Sequence, residues 1–330
     1  MNKMQIRRKF VSGIRFLLFR ANYFAGNFKE VVWLLGDARS GTTWIAALIN
    51  HNREYREMFE PFNHVNVKRM NSISPHLYLR PETDNLLLEE FASDVFSGRF
   101  SSTWSDFGNR SMLYRGLLVK DVWANLFSFW ASSRFPEVKK IFLIRNPFAV
   151  ALSKSKTMDW QWVKDPVHFL KQKDLLEDYL DPFEKIIRKT SMEGDYILCQ
   201  IVNWCILNLI PLKQFRASDL HIVFYEKMYN DPQAEIKRVF EFLKRERKDR
   251  TVTLDQKLIT KPSSFAGDMS NIKVGISPLK AWERELSTCQ IDAGMKILDQ
   301  FGFGGLYDTL EMPDPKVIDR IQTSGFLQTF

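Results

Sequence analysis

A chain of 330 residues, 45% hydrophobic and 26% charged, has the composition of a globular protein with a sizeable core. Its formal net charge of +8 suits polyanionic ligands, nucleotides or membrane surfaces, and no basic–aromatic repeat singles out nucleic acid. Cys199, Cys205 and Cys289 make neither an even disulfide framework nor a CxxC pattern, so buried free thiols in a reducing compartment are expected.

The opening segment, residues 1–28, mixes basic and apolar residues. It reads as an amphipathic helix that either packs on the domain, the favoured reading, or lies on an anionic surface. Arginines interrupt its apolar part and no small-residue cleavage site follows, which excludes a signal peptide. No window approaches the roughly 18 apolar residues of a membrane span, and a cytoplasmic protein is expected, with peripheral membrane contact through this segment as the alternative to its packing on the domain. The apolar run 31–36 then reads as a strand ending in Gly36-Asp37-Ala38-Arg39-Ser40-Gly41-Thr42-Thr43, followed by a helix over 43–51. A strand, a glycine-bounded turn and a helix start form a cradle of backbone N–H groups for phosphate or a similar oxyanion. The glycine spacing is that of a nucleotide-binding P-loop, but Thr42 replaces its lysine.

Further strands are predicted over 115–120, 139–145 and 219–225, and helices over 147–157, 198–215, 232–247 and 288–301. The alternation argues for an α/β, P-loop-like, three-layer fold with a central parallel sheet flanked by helices. With no repeat or Gly/Ser linker, residues 1–330 read as one domain. The polar, irregular stretches 66–112 and 158–197 read as acceptor-side insertions. Ligands of open α/β sheets bind beyond the carboxyl ends of the strands. That rule lines up Arg39, Lys120-Asp121, Arg145 and Tyr225-Glu226 on one edge. Arg145, at a strand end before Pro147, and Ser153 could converge on one anionic group.

Together, GDARSGTTW (36–44) and IRNPFAVALS (144–153) closely resemble the two cofactor motifs of the sulfotransferases, which use 3′-phosphoadenosine 5′-phosphosulfate (PAPS) as donor and release PAP. VFYEKMYNDPQAEIKRVFEFL (223–243) resembles the family's third motif, with a weaker echo reaching residue 307. The resemblance implies that Asp37, Ala38, Arg39, Ser40, Gly41, Thr42 and Thr43 hold the 5′-phosphosulfate. It implies that Arg145 and Ser153 bind the 3′-phosphate. Trp44 would lie against adenine or belong to the core, and Tyr225 would lie near the nucleotide or pack as a core tyrosine. Enzymes of small phenols and steroids place a histidine two residues after a strand-end lysine; here Lys120 is followed by Asp121 and Val122, which argues against that subgroup.

MFEPFNHV (58–65) resembles a segment of carbohydrate 6-O-sulfotransferases whose glutamate is the favoured base, which maps to Glu60. His64 is a weaker candidate. Arg39 and Lys120 could neutralise charge on the bridging oxygen. A carbohydrate, glycolipid or other hydroxyl acceptor follows, with transfer by in-line displacement. Trp104, Trp160, Trp162 and Tyr78 could stack on sugar rings or form the core of an insertion. The five histidines show no ligand-like spacing, and no metal is expected. The rival readings are an atypical P-loop nucleotide-binding protein or kinase, a non-catalytic scaffold, and a sulfotransferase of a non-sugar alcohol.

Overall fold

The computed structural model describes residues 3–158, 160–243, 254–260, 277, 279–307 and 312–326. Five short strands, β1 (Glu30–Gly36), β2 (Tyr55–Phe59), β3 (Gly116–Lys120), β4 (Lys139–Ile144) and β5 (Leu220–Phe224), form one sheet in the order β2-β3-β1-β4-β5. Every pairing is parallel. β1, β3 and β4 are almost continuously apolar because the sheet is covered on both faces. In β1, Val31, Trp33 and Leu35 enter one core while Val32 and Leu34 enter the other. The result is the expected three-layer α/β fold.

The helices divide between those two cores. An N-terminal helix, α1 (Lys3–Phe24), packs through Phe19, while α2 (Thr42–Ile49) buries Ile45, Ala46, Leu48 and Ile49 on the second face with Ile236, Val239 and Phe240. The first face takes α3 (Leu86–Phe96), α4 (Ser128–Arg134), α5 (Pro147–Ser155) and the central helix Tyr196–Gln214. That central helix is long and apolar enough to cross a membrane, contrary to the sequence expectation, but 89% of its apolar stretch is buried inside the protein.

Three further expectations change. β2 was missed because Arg56 interrupts its apolar pattern. The side chain is fully buried, donates to Asp106 at 2.8 Å and to the Phe100 carbonyl at 2.6 Å, and lies 4.0 Å from the Phe19 ring. Residues 66–112 and 158–197 are not merely irregular. α3, capped by Asn85, buries Leu88, Phe91 and Val95, and the helix Glu184–Glu193 buries Ile187, all in the main core. Cys199 and Cys205 are buried but Cys289 is exposed. The helix expected over 232–247 spans Pro232–Phe242, and its positions 244–247 lie outside the described residues, as does 261–276 of the weaker family echo.

Candidate active site

β1 lies between β3 and β4, and the helix that follows β1 covers one face of the sheet while the helix that follows β4 covers the other, so a crevice opens at its carboxyl end. The turn there needs both glycines. A Cβ on Gly36 would stand 2.9 Å from the Leu143 carbonyl oxygen, and Gly41 has φ +99° with Tyr225 ring carbons 2.7 Å from where a Cβ would be. Arg39 also takes a left-handed conformation, φ 68°. The Ser40 hydroxyl folds back to the Asp37 carbonyl. No side chain caps α2; the Trp44 and Ile45 amides turn back to the Gly41 carbonyl, which leaves those of buried Thr42 and half-buried Thr43 for an oxyanion.

Two guanidiniums border this turn. Arg39 Nε donates to Ser153 Oγ at 3.0 Å, and Arg145 NH1 donates to the Arg39 carbonyl at 3.0 Å. Burial, aided by the adjacent Arg145 charge, pushes the Arg39 guanidinium down to about 10. Two like charges held this close suit a polyanion between them. Arg145 is set from behind: its carbonyl accepts from Trp204 Nε1 at 2.9 Å, and the next amide donates to buried Glu226 at 2.8 Å. Its guanidinium lies 4.2 Å from the centre of the Tyr225 ring. Asn146 caps α5 through the Phe148 and Ala149 amides, aiming the helix that carries Ser153. Trp44 is buried edge-to-face against Tyr225 at 5.5 Å, and its indole N–H is spent on the Leu258 carbonyl.

Lys154, which the sequence reading passed over, donates to both oxygens of the fully buried Asp37 at 2.8 and 2.7 Å. It follows Ser153 directly, so α5 and the loop are fastened together beside the candidate 3′-phosphate site.

On the other side of the loop, Glu60 follows β2 and Lys120 ends β3, with Phe59 and Lys120 in register. Lys120 Nζ donates to Glu60 Oε1 at 2.6 Å; Oε2 accepts from Asn63 at 3.2 Å and Trp123 at 3.4 Å. Glu60 sits at φ 43°, a strained conformation for a residue other than glycine. Asp121 is fully buried and accepts from the Phe62, Trp123 and Ala124 amides, thereby fixing the turns that hold Glu60 and Trp123. Its position directly after an apolar strand was legible; its partners were not.

A small, narrow cleft opens beside Asp37, Ala38 and Lys154, walled by Val122, Trp123, Trp162 and Phe169. Trp162 stacks on Trp123 at 5.9 Å, and Trp160, 40% exposed, stands 5.4 Å from the Arg39 guanidinium carbon. His64 packs edge-to-face on Trp123 at 4.6 Å, and burial lowers its pKa. His76 lines the cleft with its Nδ1 buried and unpartnered, and burial holds its pKa well below the usual histidine range. Of the remaining aromatics, Trp104 packs on Phe59, and Tyr78 is buried with its hydroxyl on Asp178. Among the described residues no group of three His, Cys, Asp or Glu side chains is arranged to hold a metal ion.

The structure therefore gathers Arg39, Arg145, Ser153 and the loop on one side and Glu60, Lys120 and His64 on the other. Solved structures similar in fold include the sulfotransferase domain of the Synechococcus PCC 7002 olefin synthase, at 15% identity over 84% of this chain and 95% of that one, TM-score 0.42. Another is a retinol dehydratase in complex with androsterone and PAP, at 13% identity over 88% of each chain, TM-score 0.41. A third is a sulfotransferase from Alicyclobacillus acidocaldarius, at 13% identity over 79% of this chain and 98% of that one, TM-score 0.36. No protein of curated function matches the chain. The sulfotransferase domain family matches residues 29–265, and the chain belongs to that family as a PAPS-dependent sulfotransferase.

Proposed function

We propose that the acceptor is a hydroxyl of a carbohydrate or glycoconjugate and that Glu60 is the general base of an in-line displacement. The Glu60–Lys120 pair at the carboxyl edge of the sheet, 2.6 Å apart beside the phosphate-binding turn, carries this reading. On this reading the carboxylate takes the acceptor proton and the ammonium meets the charge that develops on the departing oxygen. In the proposed step the acceptor oxygen bonds to sulfur as the bond from sulfur to the phosphate oxygen breaks. The hydroxyl proton passes to Glu60 and the electron pair remains on the phosphate of PAP. Arg39 and the α2 amides, with Lys120 alongside, receive that charge. Arg145 and Ser153 would hold the 3′-phosphate and so fix the register of the donor. His64, packed edge-to-face on Trp123, is the weaker candidate for the proton transfer.

Trp162 lines the cleft and Trp160 packs against it at 5.4 Å, an aromatic cluster of the kind that serves as a platform for a sugar. On this reading 158–197 flanks the acceptor, and 66–112 contributes Trp104 beside Phe59. One observation favours a non-sugar alcohol instead: Val122, Phe169 and Leu207 make much of the cleft wall apolar. Radiolabelled PAPS offered with a panel of mono- and oligosaccharides and a panel of apolar alcohols separates the two. Label is expected in the sugar panel, with Trp162→Ala raising acceptor KM and leaving PAP affinity unchanged. Label in the apolar alcohols alone selects the second reading, and label in neither panel overturns both.

A further inference from the structure

The first 29 residues hold Lys3, Arg7, Arg8, Lys9, Arg15, Arg20 and Lys29 and no Asp or Glu, so they carry +7 of the chain's +8 net charge. The structure shows which apolar groups accompany that charge. Along α1, Phe16, Arg20 and Phe24 follow one another at helical spacing on one face, with Leu17 beside them. Phe16 is 45% exposed, Leu17 65% and Phe24 74%, and the Arg20 guanidinium lies 5.8 Å from the ring of each phenylalanine. The opposite face is the one that packs, through Phe19 and Asn22. Asn22 donates to the Met112 carbonyl at 2.9 Å and accepts from the Tyr114 amide at 3.0 Å. It thus holds against the same helix a turn whose Met112 and Leu113 are 70% and 76% exposed. Five large apolar side chains therefore stand in solvent at one end of the molecule, set among arginines.

We infer that this end of the molecule docks on an anionic lipid surface, with Phe16, Leu17, Phe24, Met112 and Leu113 entering the headgroup region and the basic residues meeting lipid phosphates. Scattered basic side chains around an apolar stripe are what an interfacial helix requires, and charge and apolar burial together anchor where either alone is weak. Exposed Leu86 and Leu87, at the start of α3, lack this setting: their sequence neighbours Glu82, Asp84, Glu89 and Glu90 are acidic. Orientation follows from the sheet. α1 leads into the first residue of β1, and the 112–114 turn leads into the first residue of β3, whereas the active site lies where these strands end. A seven-residue strand spans about 20 Å, so the docked enzyme would face its cleft away from the bilayer. Acceptors would then arrive from the aqueous side.

Co-sedimentation of the full chain with vesicles of phosphatidylcholine alone, or of phosphatidylcholine mixed with phosphatidylglycerol, tests this. Binding to the anionic vesicles only, weakening as salt rises, is the expected result. Leu17→Glu combined with Phe24→Glu should lower the bound fraction at least about tenfold. Arg20→Glu should lower it less, and Leu86→Glu with Leu87→Glu should leave it unchanged. All these side chains are exposed, so melting temperature should hold in each variant and show that loss of binding is not loss of fold. Absence of binding to anionic vesicles, equal binding to both kinds, or full binding by the Leu17/Phe24 double variant overturns the proposal. So does a dimer in solution that the same double variant converts to monomer, since a second copy of the chain would then cover this face.

Discussion

Two buried lysine–carboxylate pairs flank the phosphate-binding turn, and they are built for different ends. Lys154 and Asp37 are 2.7 Å apart with side chains 4% and 0% exposed; Lys120 and Glu60 are 2.6 Å apart with side chains 3% and 12% exposed. In the first, one ammonium satisfies both carboxylate oxygens. In the second, the lysine takes one oxygen while Trp123 and Asn63 share the other, and the glutamate backbone is strained. Burial and pairing are thus common to a fastening and to a candidate base. What separates them is how the carboxylate is held: Asp37 spends both oxygens on one ammonium, whereas Glu60 keeps one oxygen on neutral donors that an acceptor hydroxyl can replace.

The sharpest way to break this comparison is to neutralise each carboxylate. Glu60→Gln keeps the shape and the contacts of Oε2 but removes the proton acceptor, so kcat should fall by about 10²–10⁴. PAP affinity, measured by calorimetry, should be nearly unchanged. Turnover that survives would place the base elsewhere. Lys154→Met should act on stability instead, because it strands a buried carboxylate, at a cost of about 3–5 kcal/mol in urea unfolding. Adding Asp37→Leu should restore most of that loss. The exposed pair Lys156–Glu285, 42% and 38% exposed, is the internal standard, and Lys156→Met should change stability by less than about 1 kcal/mol. Equal costs at Lys154 and Lys156 would mean that the first pair fastens nothing.

The two pairs also show how far the sequence could be read. Strand-end charges follow directly from the sheet rule, so Arg39, Lys120 and Arg145 could be placed on one edge before any coordinates. Arg145 and Ser153 are eight residues apart on one strand–helix unit, which local geometry alone brings to the same turn. Lys154 was passed over because its partner is 117 residues away and its own helix gives no reason for a buried lysine. Likewise β2 was hidden by Arg56, whose buried charge is balanced by Asp106, 50 residues later. Trp162 meets Trp123 only through tertiary packing, so the sequence left Trp162 between platform and insertion core, with the core favoured, and gave Trp123 no role. Pairings that a single element determines were legible; those made across the crevice were not.

A smaller effect than that of either buried pair concerns Asp121, which links the Glu60 turn to the Trp123 turn. Burial, assisted by the neighbouring Glu60 charge, raises its pKa to about 7 against the pull of the Trp123 and Phe62 amides. The folded protein then binds a proton at Asp121 more tightly than the unfolded chain does. The stability from this group is fully present below about pH 4 and is lost as pH rises through about 7. Asp121→Asn does not titrate, and it turns an amide N–H₂ toward the Phe62 or the Trp123 and Ala124 amides. The stability of the wild type relative to this variant should therefore shrink between about pH 4 and pH 8, by on the order of 1–3 kcal/mol. Urea unfolding at a series of pH values measures it. In a Glu60→Gln background the same decline should begin from a lower folded-state pKa, because the Glu60 charge that raises the proton affinity of Asp121 is gone. A gap that stays flat across the range would show that the three amide donors keep Asp121 ionised, making it a fixed anchor beside the base rather than a group whose proton answers to Glu60.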